Sequence, residues 1–252
     1  MMKKWFPDMT EAPEDRAITS AVPYGVFGFF LLPLILSLST LTSRGQDYEI
    51  WMEIGYHVIN FVVTLIFFLP SLRDAFFIAR VNRKSFLLTC LACAGIIVAL
   101  KFVAFFVAMI GGYPAWAQTI WGCLLTNETD LLFYSTAVID AEPLWGTLCM
   151  VLLAPITVSC LFYGAIFAPL CLRKPGLAYV VTMGAFLVVR LSMAFCFWPL
   201  QEEMMIFAVC LPVHLIGCWA YQKTDTIWAP ITIHFLVNLL MALLQLGLMG
   251  VI

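Results

Sequence analysis

Charge is what this sequence has least of. Of its 252 residues 11% are charged, 13 Lys and Arg against 15 Asp and Glu, while 63% are hydrophobic. Mean hydropathy is +0.99. Soluble globular chains carry roughly 45–50% apolar residues, so a water-soluble globule is excluded, and a net charge of -2 offers no cationic surface to nucleic acid. Paired cysteine motifs are also lacking. The nine cysteines include one close pair, Cys90 and Cys93, inside an apolar run and without a second pair, so no metal site, disulfide framework or cofactor is expected. Repeats and low-complexity linkers are missing too, which leaves one membrane domain over 21–252 behind a polar segment, 1–20. That segment lacks the basic stretch and apolar core of a cleavable signal.

Long apolar runs fill the remainder. A spanning helix needs about 20 mostly apolar residues, and seven segments qualify: Ala21–Leu41, Trp51–Leu69, Phe86–Ile110, Leu144–Leu170, Leu177–Trp198, Met204–Tyr221 and Ile227–Val251. The expectation is an all-α, polytopic membrane protein of about seven transmembrane helices. Lys3, Lys4, Arg16, Arg73, Arg80, Arg83, Lys84, Arg173, Lys174 and Lys223 all fall on one side of this layout, and only Arg44 on the other. Cationic loops stay cytoplasmic, so the amino terminus is expected inside and the carboxyl terminus outside, in a bacterial cytoplasmic membrane or the endoplasmic reticulum of a eukaryote. From Arg73 to Ser85 cations alternate with Phe76, Phe77, Ile78 and Val81, which fits an interfacial helix on anionic lipid or a tight turn. The segment 111–143 is too polar to span; its Trp116, Trp121, Phe133 and Tyr134 suit an outer cap at headgroup depth.

Two motifs stand out in the last four spans. Ala154 to Gly164 reads Ala-Pro-Ile-Thr-Val-Ser-Cys-Leu-Phe-Tyr-Gly, and Ile227 to Asn238 contains Trp-Ala-Pro followed by His234 and Asn238. Residues three or four apart share a helix face, so His-x-x-x-Asn presents two polar groups to one place. The first segment resembles the Pro-Ile-x-Glu-Glu-x-x-Phe-Arg-Gly motif of the CAAX-protease and bacteriocin-processing (CPBP) family, with Val158 and Ser159 at the glutamates and Tyr163 at the arginine. The second resembles that family's His-x-x-x-Asn motif. Laying Ala178 to Leu191 along the family's intervening motif puts Thr182 at serine, Phe186 at phenylalanine and Arg190 at histidine. The resemblance covers about 144–244.

In that family the first motif's glutamate and the second motif's histidine are taken to activate water, and the third motif's His and Asn to hold the oxyanion. By resemblance, His234 and Asn238 survive while Val158, Ser159, Tyr163 and Arg190 have lost the chemistry, so no catalytic residue is expected. Arginine stays protonated and cannot act as neutral imidazole. Arg190 and Lys101 lie inside spans, where charge usually faces the protein interior; Glu53 on span two is a candidate ion-pair partner. A polar cluster for partner binding is expected from Arg190, Tyr163, His214, His234, Asn238, Lys101 and Glu53. Ser159 with Cys160, supported by His234, also invites a nucleophile reading, against the plainer one of small residues packing helices.

The expected function is that of a pseudoprotease serving as a scaffold or binding subunit for a membrane protein, a hydrophobic or lipidated peptide, or a lipid. Two alternatives are kept. One is an active CPBP-type endopeptidase for prenylated proteins or bacteriocin leaders whose base comes from His214, His234, Glu53 or a partner chain. The other is a small-molecule or lipid transporter, for which no inverted repeat is visible.

Overall fold

The computed structural model describes residues 46–113, 143–196 and 200–248, with positions 117 and 120. The expected first span Ala21–Leu41, the segment 1–20 and most of 111–143 lie outside the described residues. Within them the chain is helical: α1 Gln46–Val81, α2 Arg83–Ile110, α3 Leu144–Cys171, α4 Pro175–Cys196, α5 Leu200–Thr224 and α6 Trp228–Leu248. Three stretches, Ile54–Val81, Arg83–Ile110 and Leu144–Cys171, are long and apolar enough to cross a membrane, and two shorter apolar ones are Pro175–Leu191 and Trp228–Leu244.

α3 is the axis of the bundle. Its apolar window is 78% buried against 11% for α1 and 28% for α2, so lipid-type surface belongs to the outer helices and protein-type packing to α3. Two π-helical stretches interrupt it, Cys149–Leu153 and Cys160–Phe167, and each ends shortly before a proline, Pro155 and Pro169. Proline lacks an N–H and its ring collides with the carbonyl four residues earlier. Widening the turn relieves that collision, and wide turns of this kind favour functional regions.

α2 sets its small face, Cys90, Cys93, Ala94 and Ile97, against Val213 and Ala220 of α5 and Ala229, Ile233, Val237 and Met241 of α6. On the other side Tyr56 of α1 joins Val158, Leu161 and Phe162 of α3, Phe186 and Val189 of α4 and Cys210 of α5. The interfacial helix expected over Arg73 to Ser85 is not a separate element. α1 is continuous through Val81, and only Asn82 separates it from α2. Its 36 residues span about 54 Å at ~1.5 Å per residue, beyond a ~30 Å hydrocarbon core, so the cationic stretch is the protruding end of a long helix.

That end is pinned. The Thr226 hydroxyl donates to the Ala75 carbonyl at 3.0 Å and the Trp228 indole N–H to the Leu72 carbonyl at 2.8 Å, while the Tyr179 hydroxyl donates to Gln222 Oε1 at 3.1 Å. These bonds tie the α1–α2, α3–α4 and α5–α6 turns to one end of the bundle. Arg80, Arg83, Lys84, Arg173, Lys174 and Lys223 therefore sit at that same end, as their loop positions require.

Candidate functional site

The polar side chains that the apolar helices enclose converge on α3. Ser159 and Tyr163, four residues apart, bracket the start of the second wide turn, and both are fully buried. Ser159 Oγ lies 3.4 Å from His234 Nδ1 of α6, and the Tyr163 hydroxyl 3.2 Å from His214 Nδ1 of α5. The ring centroids of His214 and His234 are 6.0 Å apart and nearly perpendicular; Tyr163 is 6.1 Å from the first and 5.8 Å from the second. Three helices thus meet in one cluster of Ser159, Tyr163, His214 and His234.

Packing fixes this cluster from every side. Phe186 of α4 lies 3.9 Å from His214 between centroids, and Phe162 crosses the same imidazole edge-on at 5.2 Å. Tyr163 seats on Gly217, where a Cβ would collide with its hydroxyl oxygen and stand 2.5 Å from Cζ. No side chain larger than hydrogen fits there. Thr182, Phe186 and Arg190 recur every four residues on α4 and are all buried, Arg190 at 4% exposure. Its guanidinium acts electrostatically on His214, and the buried ammonium of Lys101 from α2 acts on His234. Asn238, one turn beyond His234, donates Nδ2 to the Met150 carbonyl of the first wide turn at 2.7 Å.

The structure therefore brings Tyr163, His214, His234 and Ser159 together, with Arg190 and Lys101 in electrostatic reach. Val158 stands apart, in the apolar cluster with Tyr56 and Phe162, and the Glu53 side chain lies outside the described residues. Sequence reasoning missed the buried polar stripe of α1, where Asn60 Nδ2 donates to the Tyr56 hydroxyl at 3.1 Å and the Thr64 hydroxyl to the Asn60 carbonyl at 2.8 Å. The four-residue recurrence of Tyr56, Asn60 and Thr64 was its only signal. Among the described residues no group of three or more His, Cys, Asp or Glu is placed to hold a metal ion.

Three motif positions, Ser159, Tyr163 and His234, are packed into one enclosed cluster. Residues 140–240 match the family model Type II CAAX prenyl endopeptidase Rce1-like. That segment is Rce1-like. No curated protein and no solved structure matches the chain. The Rce1-like segment runs from just before α3 to the middle of α6 and so includes the whole cluster, Ser159 to His234. Its long apolar helices make the chain an integral membrane protein, and the part of it that is similar to the CAAX-protease family is 140–240.

A Ser–His pair attracts attention inside the Rce1-like segment. Such a pair generates an alkoxide only where the imidazolium formed is stabilised, normally by a carboxylate on the ring's other nitrogen. No Asp or Glu occurs in α2, α3, α4 or α6, and the charged group acting on His234 is Lys101, which has the wrong sign for that role. Outside the apolar helices, Asp225 follows α5 at φ 54°, and burial raises its carboxyl above the usual 3.8.

Proposed function

We propose that this chain is a catalytically degenerate member of the CAAX-protease group that works as a scaffold or binding subunit for another membrane protein. The observation that carries this is the filling of the hydrolytic positions. Val158 is taken into an apolar cluster, Tyr163 plugs the space above Gly217 and hydrogen-bonds His214, and Arg190 stands at the histidine position beside that same imidazole. Activation of water requires a base within hydrogen-bond reach of it. None of the four residues at the hydrolytic positions, Val158, Ser159, Tyr163 and Arg190, is a usable base. The full chain is read as seven spans with the amino terminus cytoplasmic, in a bacterial or endoplasmic-reticulum membrane.

Two measurements test the reading. Purified chain in liposomes is expected to leave a prenylated peptide intact, while affinity purification from its native membrane yields a stoichiometric membrane protein. Restoring the motif with Val158→Glu, Ser159→Glu, Tyr163→Arg and Arg190→His then gives the complementary arm. Hydrolysis by the unaltered chain that disappears in His234→Ala would sink the scaffold reading. The 3.4 Å contact from Ser159 to His234 favours one rival, a serine-dependent peptidase. Covalent labelling of Ser159 by a fluorophosphonate would establish it.

A further inference from the structure

Two contacts fix where the α1–α2 hairpin stands relative to α6. The Trp228 indole N–H reaches the Leu72 carbonyl of α1 at 2.8 Å, and Cys90 Sγ of α2 lies 3.8 Å from the Ala229 carbonyl. Leu72 and Cys90 therefore share the level of the first turn of α6. With its 21 residues, α6 covers about 31 Å at ~1.5 Å per residue, the thickness of a hydrocarbon core. Trp228 opens it, and tryptophan is enriched at the membrane–water interface. Residues 73–89 accordingly stand outside the core, as a tip that rises roughly 13 Å along α1 and roughly 10 Å along α2.

The tip is graded by height. Leu88, Phe76 and Phe77 lie roughly 3–8 Å above the level of Leu72 and Cys90, within or beside a headgroup layer about 5–7 Å deep on each side, and all three are exposed. Arg80, Arg83 and Lys84 lie roughly 9–12 Å above that level and are exposed as well. Apolar groups below and cations above match the order in which a phospholipid carries its chains and its phosphate. Charge selects the kind of lipid. Four cations, Arg73 among them, are set against one acid, Asp74, in the tip, and basic clusters flanking a membrane helix attract anionic headgroups. We propose that the upright α1–α2 tip binds an anionic phospholipid, whose phosphate meets Arg80, Arg83 and Lys84 while its glycerol and upper chains lie against Phe76, Phe77 and Leu88. Long cationic side chains reach back along the helix to headgroup depth. The apolar collar is braced from behind, because Phe76 meets the Trp228 ring edge-on at 5.9 Å. Neither a soluble anion nor an acidic cytosolic protein accounts for exposed aromatic groups at headgroup depth.

The tip lies apart from the His214–His234 cluster, so lipid binding there is read independently of the scaffold role. The full chain in detergent is titrated with phosphatidylglycerol or with phosphatidylcholine of the same chain length, and bound lipid is counted by native mass spectrometry. Phosphatidylglycerol is expected to bind about tenfold more tightly or better. In the variant Arg80→Gln, Arg83→Gln, Lys84→Gln, altered only at exposed positions, that preference is expected to vanish, whereas Arg173→Gln with Lys174→Gln, in the α3–α4 turn, retains it. Phe77→Ser with Leu88→Ser should weaken the binding of both lipids and leave their ratio unchanged. Equal binding of the two lipids by the unaltered chain overturns the proposal, and so does a preference that survives the triple variant. Displacement of phosphatidylglycerol by an equimolar amount of glycerol 3-phosphate or of a polyglutamate peptide overturns it too, by assigning the tip to a soluble anion or to an acidic protein.

Discussion

Tyr163 shows how much one side chain holds in place. A phenol reaches His214 and needs the bare backbone of Gly217 beneath it. Gly217→Ala is therefore expected to destabilise the bundle by about 1–3 kcal/mol through overpacking, seen as a lower midpoint in detergent thermal unfolding. Tyr163→Leu should restore most of that loss in the double variant, because the colliding ring is gone. Should Gly217→Ala unfold like the parent, the seating of Tyr163 is wrong. Asn238 makes a second expectation at this scale. Its amide donates to Met150 at 2.7 Å, so Asn238→Leu, which strands a buried carbonyl acceptor, should cost about 1–3 kcal/mol on the same measurement, whatever the protein does.

At the level of elements, the turn between α5 and α6 sets how the Rce1-like motif meets α1. Asp225 holds φ 54°, a conformation glycine adopts freely and asparagine tolerates, and its amide donates to the Tyr221 carbonyl at 2.9 Å. Asp225→Gly is expected to raise stability, by no more than the roughly 1–2 kcal/mol that an L residue pays in this region, measured as the midpoint of denaturant unfolding. The partly buried carboxyl adds a pH dependence of known sign. Because its folded value is raised by burial, the stability it contributes is present below the ordinary value and is lost as pH rises through the folded one. Asp225→Asn should flatten that acid-side slope. An unchanged slope would locate the titration elsewhere.

For the whole molecule, sidedness is the property to test. The bonds from Thr226 to Ala75, Trp228 to Leu72 and Tyr179 to Gln222 gather three cationic turns at one end. Single cysteines replacing Arg83, Lys174 and Lys223 in a chain free of its native cysteines should react together with an impermeant maleimide from the cytoplasmic face and stay silent from the other. Reaction of any one from the opposite face would break the proposed topology. The protruding end of α1 also predicts that Trp228→Phe, which loses the Leu72 bond, weakens this tie more than it disturbs the buried cluster. Protease sensitivity at 82–84 should rise while the ring contacts around His214 persist.

Much of this protein was legible in the chain itself because membrane helices must bury their backbone polar groups within each segment, which makes length and hydropathy decisive. Six of the expected apolar segments coincide with helices among the described residues, and the His234–Asn238 spacing put both on one face of α6. The motif positions were equally visible, as letters. Their meaning was not. That Tyr163 fills the notch of Gly217, that Ser159 meets His234, and that Arg190 and Lys101 act on different imidazoles are contacts between helices dozens of residues apart. Hydropathy fixes which stretches form helices, but not their rotation or register. Wide turns before Pro155 and Pro169, and knobs seated on glycine, set those quantities, and only the assembled bundle expresses them.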